Sequence, residues 1–238
     1  MAEVAFVTGA SGGIGRAVVQ RLRARGDFVV ATDRVIAQLP CGDAGLSTRS
    51  VDVTDEYAVQ KAVESAVATH GRIDHVVHLA GEAGAGPLEA VSREEWLRLL
   101  DVNLTSAFLL AKAVHAPLRA SRGSLTLMSS TNALNGGSQL SGPAYAVAKA
   151  GVLNLMRYLA KEWASDAIRV NAVAPGPIDT PMVARFPAAV RAQIAGTVPL
   201  KRLGEAAEVA GAIAYLTGPD GRFLTGVVHN VSGGLVLD

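Results

Sequence analysis

The sequence has few of the residues that mark a secreted, metal-binding or membrane protein. Cys41 is the only cysteine among 238 residues, so no disulfide can form within the chain. No apolar run is long enough to span a bilayer, and the chain begins without a signal-peptide pattern. The five histidines show no metal-ligand spacing. We therefore expect a soluble, cytoplasmic protein without a bound metal.

Excess charge and aromatic residues are also scarce. The 22 basic and 21 acidic residues leave a net charge of +1, and they are scattered along the chain. This balance predicts neither a nucleic-acid surface nor a membrane-binding patch. Only 5% of the residues are aromatic while 50% are hydrophobic, which favours a core of Val, Ala, Leu and Ile. Such a core suits a parallel sheet covered by helices on both faces.

Strand-like and helix-like segments alternate, and no linker or repeat divides the chain. Predicted strands cover residues 4–7, 27–32, a short stretch before Asp52, 73–79, 124–128, 168–173 and 226–231. Predicted helices cover 16–25, 54–70, a segment that begins after Ser92, 105–115, 144–163, 188–195 and 205–217. Thr54 and Ser92 are the predicted N-caps of their helices. Residues 35–50 and 129–143 are predicted as loops. Repeated βα units imply right-handed crossovers. The sequence therefore predicts one α/β domain over residues 1–238, a Rossmann-type doubly wound parallel sheet of about seven strands.

A glycine-rich turn joins the first predicted strand to the first helix. It reads Thr8-Gly9-Ala10-Ser11-Gly12-Gly13-Ile14-Gly15. Glycines let a backbone approach a pyrophosphate closely, and the following helix N-terminus offers free N–H groups and a positive dipole end. The turn is typical of a dinucleotide site, although by itself it is also compatible with a simple strand-to-helix connection.

An acidic residue, Asp33, lies eighteen positions after Gly15, at the end of the second predicted strand. A carboxylate there can accept hydrogen bonds from an adenosine ribose and would repel a 2′-phosphate. This favours NAD over NADP. Arg16 and Arg34 could each offset a phosphate, so NADP stays open, and a solvated strand-end aspartate is the simpler alternative.

Tyr145 and Lys149 lie four residues apart on a predicted helix, so their side chains share a face. Hydride transfer between an alcohol and a ketone needs a group that takes or returns the proton on oxygen. A free tyrosine has a pKa near ~10, and a neighbouring ammonium would lower it. The pair indicates such chemistry only together with the dinucleotide turn, because an isolated Tyr and Lys at this spacing is common.

Taken together, these motifs resemble the short-chain dehydrogenase/reductase family over essentially the whole chain. The matching elements are Thr8-Gly9-x-x-x-Gly13-x-Gly15, Asp52-Val53, Ala80-Gly81, Asn103, Ser129-Ser130, Tyr145-x-x-x-Lys149 and Pro175-Gly176. The resemblance implies an NAD(P)-dependent oxidoreductase that interconverts a secondary alcohol and a ketone by hydride transfer. It also implies association into a homotetramer or homodimer.

The resemblance assigns roles to individual residues. Tyr145 would be the general acid/base, Lys149 would hold the nicotinamide ribose and lower the tyrosine pKa, and Ser130 would bind the substrate oxygen. Asn103 would position a water that links the lysine to solvent. The implied cofactor-binding residues are Gly9, Ser11, Gly13, Ile14, Gly15, Asp33, Arg34, Asp52, Val53, Ala80, Gly81, Tyr145, Lys149, Pro175, Gly176, Ile178 and Thr180.

Two departures from the family pattern stand out. His78-Leu79 replaces the usual Asn-Asn before Ala80-Gly81, and we interpret His78 as a structural, hydrogen-bonded residue rather than a titrating catalyst. Ser130 lies fifteen residues before Tyr145, two more than is common. Asn132 has the common spacing but lacks a hydroxyl, and Ser129 should point to the opposite face.

The substrate is the least determined feature. The segment of residues 177–204 is short and mostly apolar, which favours a small or moderately hydrophobic alcohol or ketone, although helix amphipathicity explains much of the same pattern. Residues 198–205 are similar to 3-oxoacyl-[acyl-carrier-protein] reductases, so an NADPH-dependent reductase of this kind is the alternative; Asp33 and Asp166 disfavour it. A catalytically inactive dinucleotide-binding protein is a further alternative, which the Asn103, Ser130, Tyr145 and Lys149 set disfavours.

Overall fold

In a computed structural model, which describes residues 2–36, 39 and 43–237, the strands form one parallel sheet. Its strands are β1 (Val4–Thr8), β2 (Phe28–Asp33), β3 (Leu46–Ser50), β4 (His75–His78), β5 (Ser124–Met128), β6 (Arg169–Pro175) and β7 (Val228–Val231). Their order across the sheet is β3-β2-β1-β4-β5-β6-β7. The chain reverses direction across the sheet between β1 and β4, which confirms the doubly wound α/β fold.

Helices cover both faces of this sheet. They are α1 (Gly13–Arg25), α2 (Glu56–His70), α3 (Arg93–Leu100), α4 (Ser106–Ser121), α5 (Asn132–Asn135), α6 (Pro143–Glu162), α7 (Pro181–Ala184), α8 (Ala188–Thr197) and α9 (Ala206–Thr217). Along β1, Val4 and Phe6 pack into the core under α2, α4 and α6, while Ala5 and Val7 pack into the core under α1 and α9. This strict alternation follows from the two-residue period of a strand.

The structure corrects several local boundaries. Asp55, not Thr54, caps α2, because its carboxylate accepts from the amide of Ala58 while Thr54 bonds to Asp52. The predicted loop at 129–143 contains the short helix α5. The short strand predicted before Asp52 is β3, which begins inside the predicted loop at 35–50. Helix α4 runs six residues beyond its predicted end. Cys41 lies outside the described residues.

Residues 177–204, here called the covering segment, leave the sheet after β6 and carry α7 and α8. The base of the segment is closed by two backbone hydrogen bonds, from the Gly204 amide to the Pro177 carbonyl at 3.0 Å and from the Asp179 amide to the Gly204 carbonyl at 2.8 Å. The segment is therefore a loop pinned at its two ends, and it lies over the carboxyl ends of the strands.

Candidate active site

A large cleft opens at the carboxyl ends of β1, β4, β5 and β6, where the strand order reverses. This is where doubly wound sheets bind their ligands. The cleft encloses about 1200 Å³. Its lining includes all the residues assigned above to the cofactor, namely Gly9, Ser11, Gly13, Ile14, Gly15, Asp33, Arg34, Asp52, Val53, Ala80, Gly81, Tyr145, Lys149, Pro175, Gly176, Ile178 and Thr180. The described residues thus bring these distant motifs into one cavity.

The turn between β1 and α1 forms a cradle that only glycine can build. A Cβ on Gly15 would lie 2.1 Å from the Gly9 carbonyl oxygen, and one on Gly13 would lie 2.7 Å from the Thr180 methyl group. Gly9 has a positive φ of 66°. The N-cap residue of α1 is Gly12, which provides no side-chain cap for the first amides. Free amides beside an unobstructed backbone fit the pyrophosphate of a dinucleotide.

Asp33 lies at the end of β2, beside the glycine turn, and we refer to this end of the cleft as the adenosine end after the role predicted for Asp33. One of its carboxylate oxygens accepts from the Ser11 amide at 2.9 Å, which ties the end of β2 to the glycine turn. Arg16 donates to the Ser11 carbonyl at 2.8 Å. Arg34 lines the cleft beside Asp52, where hydrogen bonds from Thr54, and to a smaller extent the Arg34 charge, lower the pKa of Asp52.

The two serines that follow β5 have different partners. The Ser129 hydroxyl donates to the Lys149 carbonyl at 2.9 Å and so fastens the end of β5 to α6. The Ser130 hydroxyl accepts from the Asn132 amide at 3.2 Å and hydrogen-bonds with Tyr145. The Ser130 hydroxyl therefore lies in the cleft with Tyr145, whereas the Ser129 hydroxyl donates its proton to a backbone carbonyl.

Tyr145 and Lys149 lie on the buried face of α6, both turned to the cleft. The Lys149 ammonium donates to the Met128 carbonyl at 3.0 Å and lies 5.6 Å from the centre of the Tyr145 ring. Burial lowers the pKa of Lys149 to about 8, and burial raises the pKa of Tyr145, with the Ser130 hydrogen bond opposing this rise. Desolvation of the phenolate is the larger of these two opposing influences on the tyrosine pKa, and the lowering of that pKa by Lys149 stays a prediction.

Asn103 lies behind the cleft wall rather than in the cleft. It belongs to a π-helical turn, Asp101–Thr105, between α3 and α4, and it is completely buried. Its amide nitrogen donates to the carbonyls of Glu82 and Leu99, at 2.8 and 2.9 Å, and its oxygen accepts from the Glu82 amide at 3.2 Å. The side chain thus holds the loop at Glu82, directly after Gly81. Its role in positioning a water stays a prediction.

His78 lies in a directed chain of buried hydrogen bonds. The Ser106 hydroxyl donates to the Val102 carbonyl at 2.7 Å, so it must accept from His78 Nε2 at 3.0 Å. His78 Nδ1, then unprotonated, accepts from the Thr8 hydroxyl at 2.7 Å. Burial, aided by the Lys149 charge, lowers the pKa of His78 to about 3. The neutral histidine therefore links β1 to the π-helical turn that holds Asn103.

Sequence reasoning missed the partners of these residues. Ser106 lies 28 residues from His78, and no local pattern pairs the two. Arg185, noted only as part of the covering segment, lines the cleft and donates to backbone carbonyls of two other loops. Among the described residues, no group of three or more His, Cys, Asp or Glu side chains could hold a metal ion, and no helix is long and apolar enough to cross a membrane.

Comparison with known proteins agrees with this geometry. A family model described as enoyl-(acyl carrier protein) reductase matches residues 9–236. The chain is 36% identical to the Escherichia coli 3-oxoacyl-[acyl-carrier-protein] reductase FabG, covering 99% of this chain and 98% of the relative. It is 39% identical to the cis-4-hydroxycyclohexanecarboxylate dehydrogenase of Sinomonas cyclohexanicum, with coverages of 98% and 96%. A crystal structure of the Brucella melitensis 3-ketoacyl-(acyl-carrier-protein) reductase complexed with NADH superimposes with a TM-score of 0.91 at 28% identity, covering 99% of this chain and 98% of that one.

Proposed function

Since the chain belongs to the short-chain dehydrogenase/reductase family, we propose that it interconverts a small or moderately hydrophobic secondary alcohol and its ketone, with NAD as the preferred cofactor. Membership of the family makes it an NAD(P)-dependent oxidoreductase of alcohol and keto groups. The observation that carries the finer proposal is the meeting of Ser130 and Tyr145 in one cleft with the glycine cradle and Asp33.

The proposed chemistry needs few groups. The nicotinamide supplies the hydride acceptor or donor. The Tyr145 hydroxyl takes the proton of the substrate alcohol during oxidation and returns it to the ketone oxygen during reduction. The Ser130 hydroxyl binds the same oxygen and holds it at the tyrosine. Lys149, an ammonium without a carboxylate partner among the described residues, would bind the ribose hydroxyls.

The preference for NAD rests on Asp33. Its carboxylate is fixed by the Ser11 amide at the position where a ribose would lie, and it would repel a 2′-phosphate. Arg16 is engaged with the Ser11 carbonyl, which leaves Arg34 as the competing cation at this end of the cleft.

The first experiment compares the binding of NAD⁺ and NADP⁺ to wild type and to Asp33→Asn. We expect wild type to bind NAD⁺ at least about tenfold more tightly, a difference of about 1.4 kcal/mol, and the variant to lose most of this preference. Tighter binding of NADP⁺ by wild type would contradict the proposal. An unchanged preference in Asp33→Asn would contradict the role of Asp33.

The alternative is an NADPH-dependent 3-oxoacyl-[acyl-carrier-protein] reductase, favoured by the 36% identity to the Escherichia coli enzyme of that name. An assay of a 3-oxoacyl thioester with NADPH against a secondary alcohol with NAD⁺ separates the two. Efficient thioester reduction together with an NADP preference would replace the first proposal by the second.

We also propose that copies of the chain associate, as dimers or tetramers. Exposed apolar side chains occur on the outer faces of α4 and α6, namely Phe108, Val147 and Tyr158. Light scattering of wild type and of Phe108→Lys tests this. A wild-type mass of 24.5 kDa, that of a single chain, would contradict the proposal.

A further inference from the structure

We propose that the substrate carries an anionic group, and that Arg185 in the covering segment binds this group at the outer end of the cleft. This inference rests on the proposed function and narrows its substrate class. It starts from the position of Arg185, the residue directly after α7, which lines the same cleft as Ser130 and Tyr145.

The guanidinium of Arg185 is held in place by three backbone carbonyls. It donates to Ala83 and Gly84, at 3.4 and 3.1 Å, in the loop that follows β4. It also donates to Leu140, at 2.9 Å, in the loop that follows β5. The guanidinium carbon lies 4.8 Å from the centre of the Phe186 ring, which adds a cation–π contact. The charge is thus fixed between two loops that form the cleft wall.

These contacts orient the guanidinium but do not neutralise it. None of the ion pairs among the described residues includes Arg185. Of the carboxylates that line the cleft, Asp33 and Asp52 lie at the adenosine end, and Glu82 is paired with Arg98 at 2.7 Å. The substrate end of the cleft therefore has a positive charge without a negative partner.

The guanidinium also retains unused donors. An arginine has five N–H groups, and the three hydrogen bonds leave its Nε–H and one Nη1–H without an acceptor among the described residues. The two groups lie on different edges of the guanidinium, so each can donate one charge-assisted hydrogen bond to an anionic oxygen. The side chains around it in the covering segment are mostly apolar, and they include Met182, Val183, Phe186, Val190 and Ile194. The combination fits a hydroxy acid with a small apolar body between hydroxyl and carboxylate.

The test compares an acid with its neutral counterpart. The probes are cis-4-hydroxycyclohexanecarboxylate and its primary amide, which have the same shape and differ in charge. We expect wild type to prefer the acid in kcat/KM by about 10- to 100-fold, the range of a charged hydrogen bond. In Arg185→Met this ratio should fall to about one, whereas Arg185→Lys, which retains the charge, should keep part of it.

The control is Arg21→Met, which removes a positive charge from an exposed part of α1 that lies outside the cleft lining. It should keep the wild-type ratio. Thermal unfolding of each variant, with and without NAD⁺, checks that the fold and cofactor binding are intact. Equal losses on acid and amide in Arg185→Met would mean that Arg185 only ties the covering segment to the wall, and would overturn the inference. So would a wild-type ratio near one.

A binding experiment separates this inference from the proposed function. Calorimetry measures cyclohexanecarboxylate, which has no hydroxyl to oxidise, binding to the NAD⁺ complexes of wild type and Arg185→Met. If cyclohexanecarboxylate binds to wild type but not to Arg185→Met, and neither the hydroxy acid nor its amide is turned over, the proposed function is contradicted and the anion site is supported. Turnover of the amide as efficiently as the acid would support the function and overturn the anion site. Absence of both binding and turnover would overturn both.

Discussion

The floor of the cleft, defined by Thr8, His78, Asn103, Ser129 and Lys149, buries its polar side chains, whereas the covering segment leaves most of its own exposed. His78 and Lys149 are each 2% exposed, and Asn103 is fully buried. No residue from 179 to 197 is fully buried. Ser129 and Lys149 line the same cavity as the covering segment, and Thr8, His78 and Asn103 lie behind them. The two regions are held in place by different interactions.

The floor is held by hydrogen bonds between buried polar groups. Each of the five residues just named makes at least one hydrogen bond across elements that are distant in sequence. A buried polar group that loses its partner costs about 1–3 kcal/mol, so the arrangement has few alternatives. The covering segment is held by its pinned base and by Arg185. The difference teaches that the polar residues beneath the reacting groups are fixed by contacts that do not involve the covering segment.

The largest expected effect is on the reaction itself. Tyr145→Phe removes the hydroxyl that exchanges the proton, and we expect kcat to fall by about 10³-fold, within the range of general acid–base catalysis. NAD⁺ binding should change little, because the glycine cradle and Asp33 are untouched. Initial rates and thermal shifts with NAD⁺ measure the two effects. A variant that keeps more than a tenth of the wild-type kcat would remove Tyr145 from its proposed role.

The next prediction compares one glycine from each region. A Cβ on Gly81 would lie 2.7 Å from Asn103 Oδ1 and 3.0 Å from Lys149 Nζ, whereas one on Gly196, in α8, meets nothing within 4 Å. Gly81→Ala should lower the free energy of unfolding by about 1–3 kcal/mol through overpacking. Gly196→Ala should raise it, by up to about 1 kcal/mol, because alanine is the better helix former.

Urea denaturation of both variants measures this difference. Because the same methyl group is added at both positions, a difference in the sign of the change in the free energy of unfolding is caused by the surroundings of the two glycines. Equal effects of the two substitutions would mean that the floor yields as readily as the covering segment, and the contrast between the regions would not hold.

The sequence predicted what depends on local pattern. Helix geometry places Tyr145 and Lys149, four residues apart, on one face, and turn geometry accounts for the glycines around the start of α1. The alternation of buried strands with amphipathic helices indicated the doubly wound sheet. Local reasoning failed between Thr54 and Asp55, two adjacent residues that both make good helix caps.

What the sequence could not supply depends on distant contacts. The Ser106 partner of His78 and the carbonyls bound by Arg185 come from segments 28 to 102 residues away. The raised pKa of Tyr145 is a result of burial, which no spacing reveals. The hydrogen bonds of the Asn103 amide to the carbonyls of Glu82 and Leu99 were not foreseen either, and the role of Asn103 in positioning a water stays a prediction.

A smaller effect comes from the charge buried in the floor. The pKa of Lys149 is lowered from 10.5 to about 8, so below pH 8 the buried ammonium lowers the free energy of unfolding. Lys149→Met removes that cost but leaves the Met128 carbonyl unpaired, and we expect the variant without cofactor to be more stable at pH 7 by about 2 kcal/mol. Between pH 8 and 10.5 the unfolded chain binds a proton that the folded chain has released. Wild-type stability should therefore rise with pH relative to the variant, and the difference should shrink.

Denaturation of both proteins from pH 6.5 to 10.5 gives this difference directly, and contributions from the other titrating groups cancel between them. The variant should also lose its activity. Lys149 would then be a residue that activity requires although it lowers the stability of the folded chain. A variant less stable than wild type at pH 7, or a difference independent of pH, would mean that the buried ammonium is stabilised by interactions other than the one hydrogen bond to Met128.

The smallest effect on stability should come from the covering segment. Met182 lines the cleft and is 40% exposed, so Met182→Ala should change the free energy of unfolding by less than about 0.5 kcal/mol. Its side chain offers apolar surface to the substrate, and its loss should raise KM several-fold while kcat stays nearly constant, because Tyr145 and Ser130 lie outside the covering segment. Steady-state kinetics on alcohols of increasing alkyl length measure this, with the rise in KM growing with length. A fall in kcat without a change in KM would mean that the covering segment helps to place the reacting groups, and that the two regions are not independent.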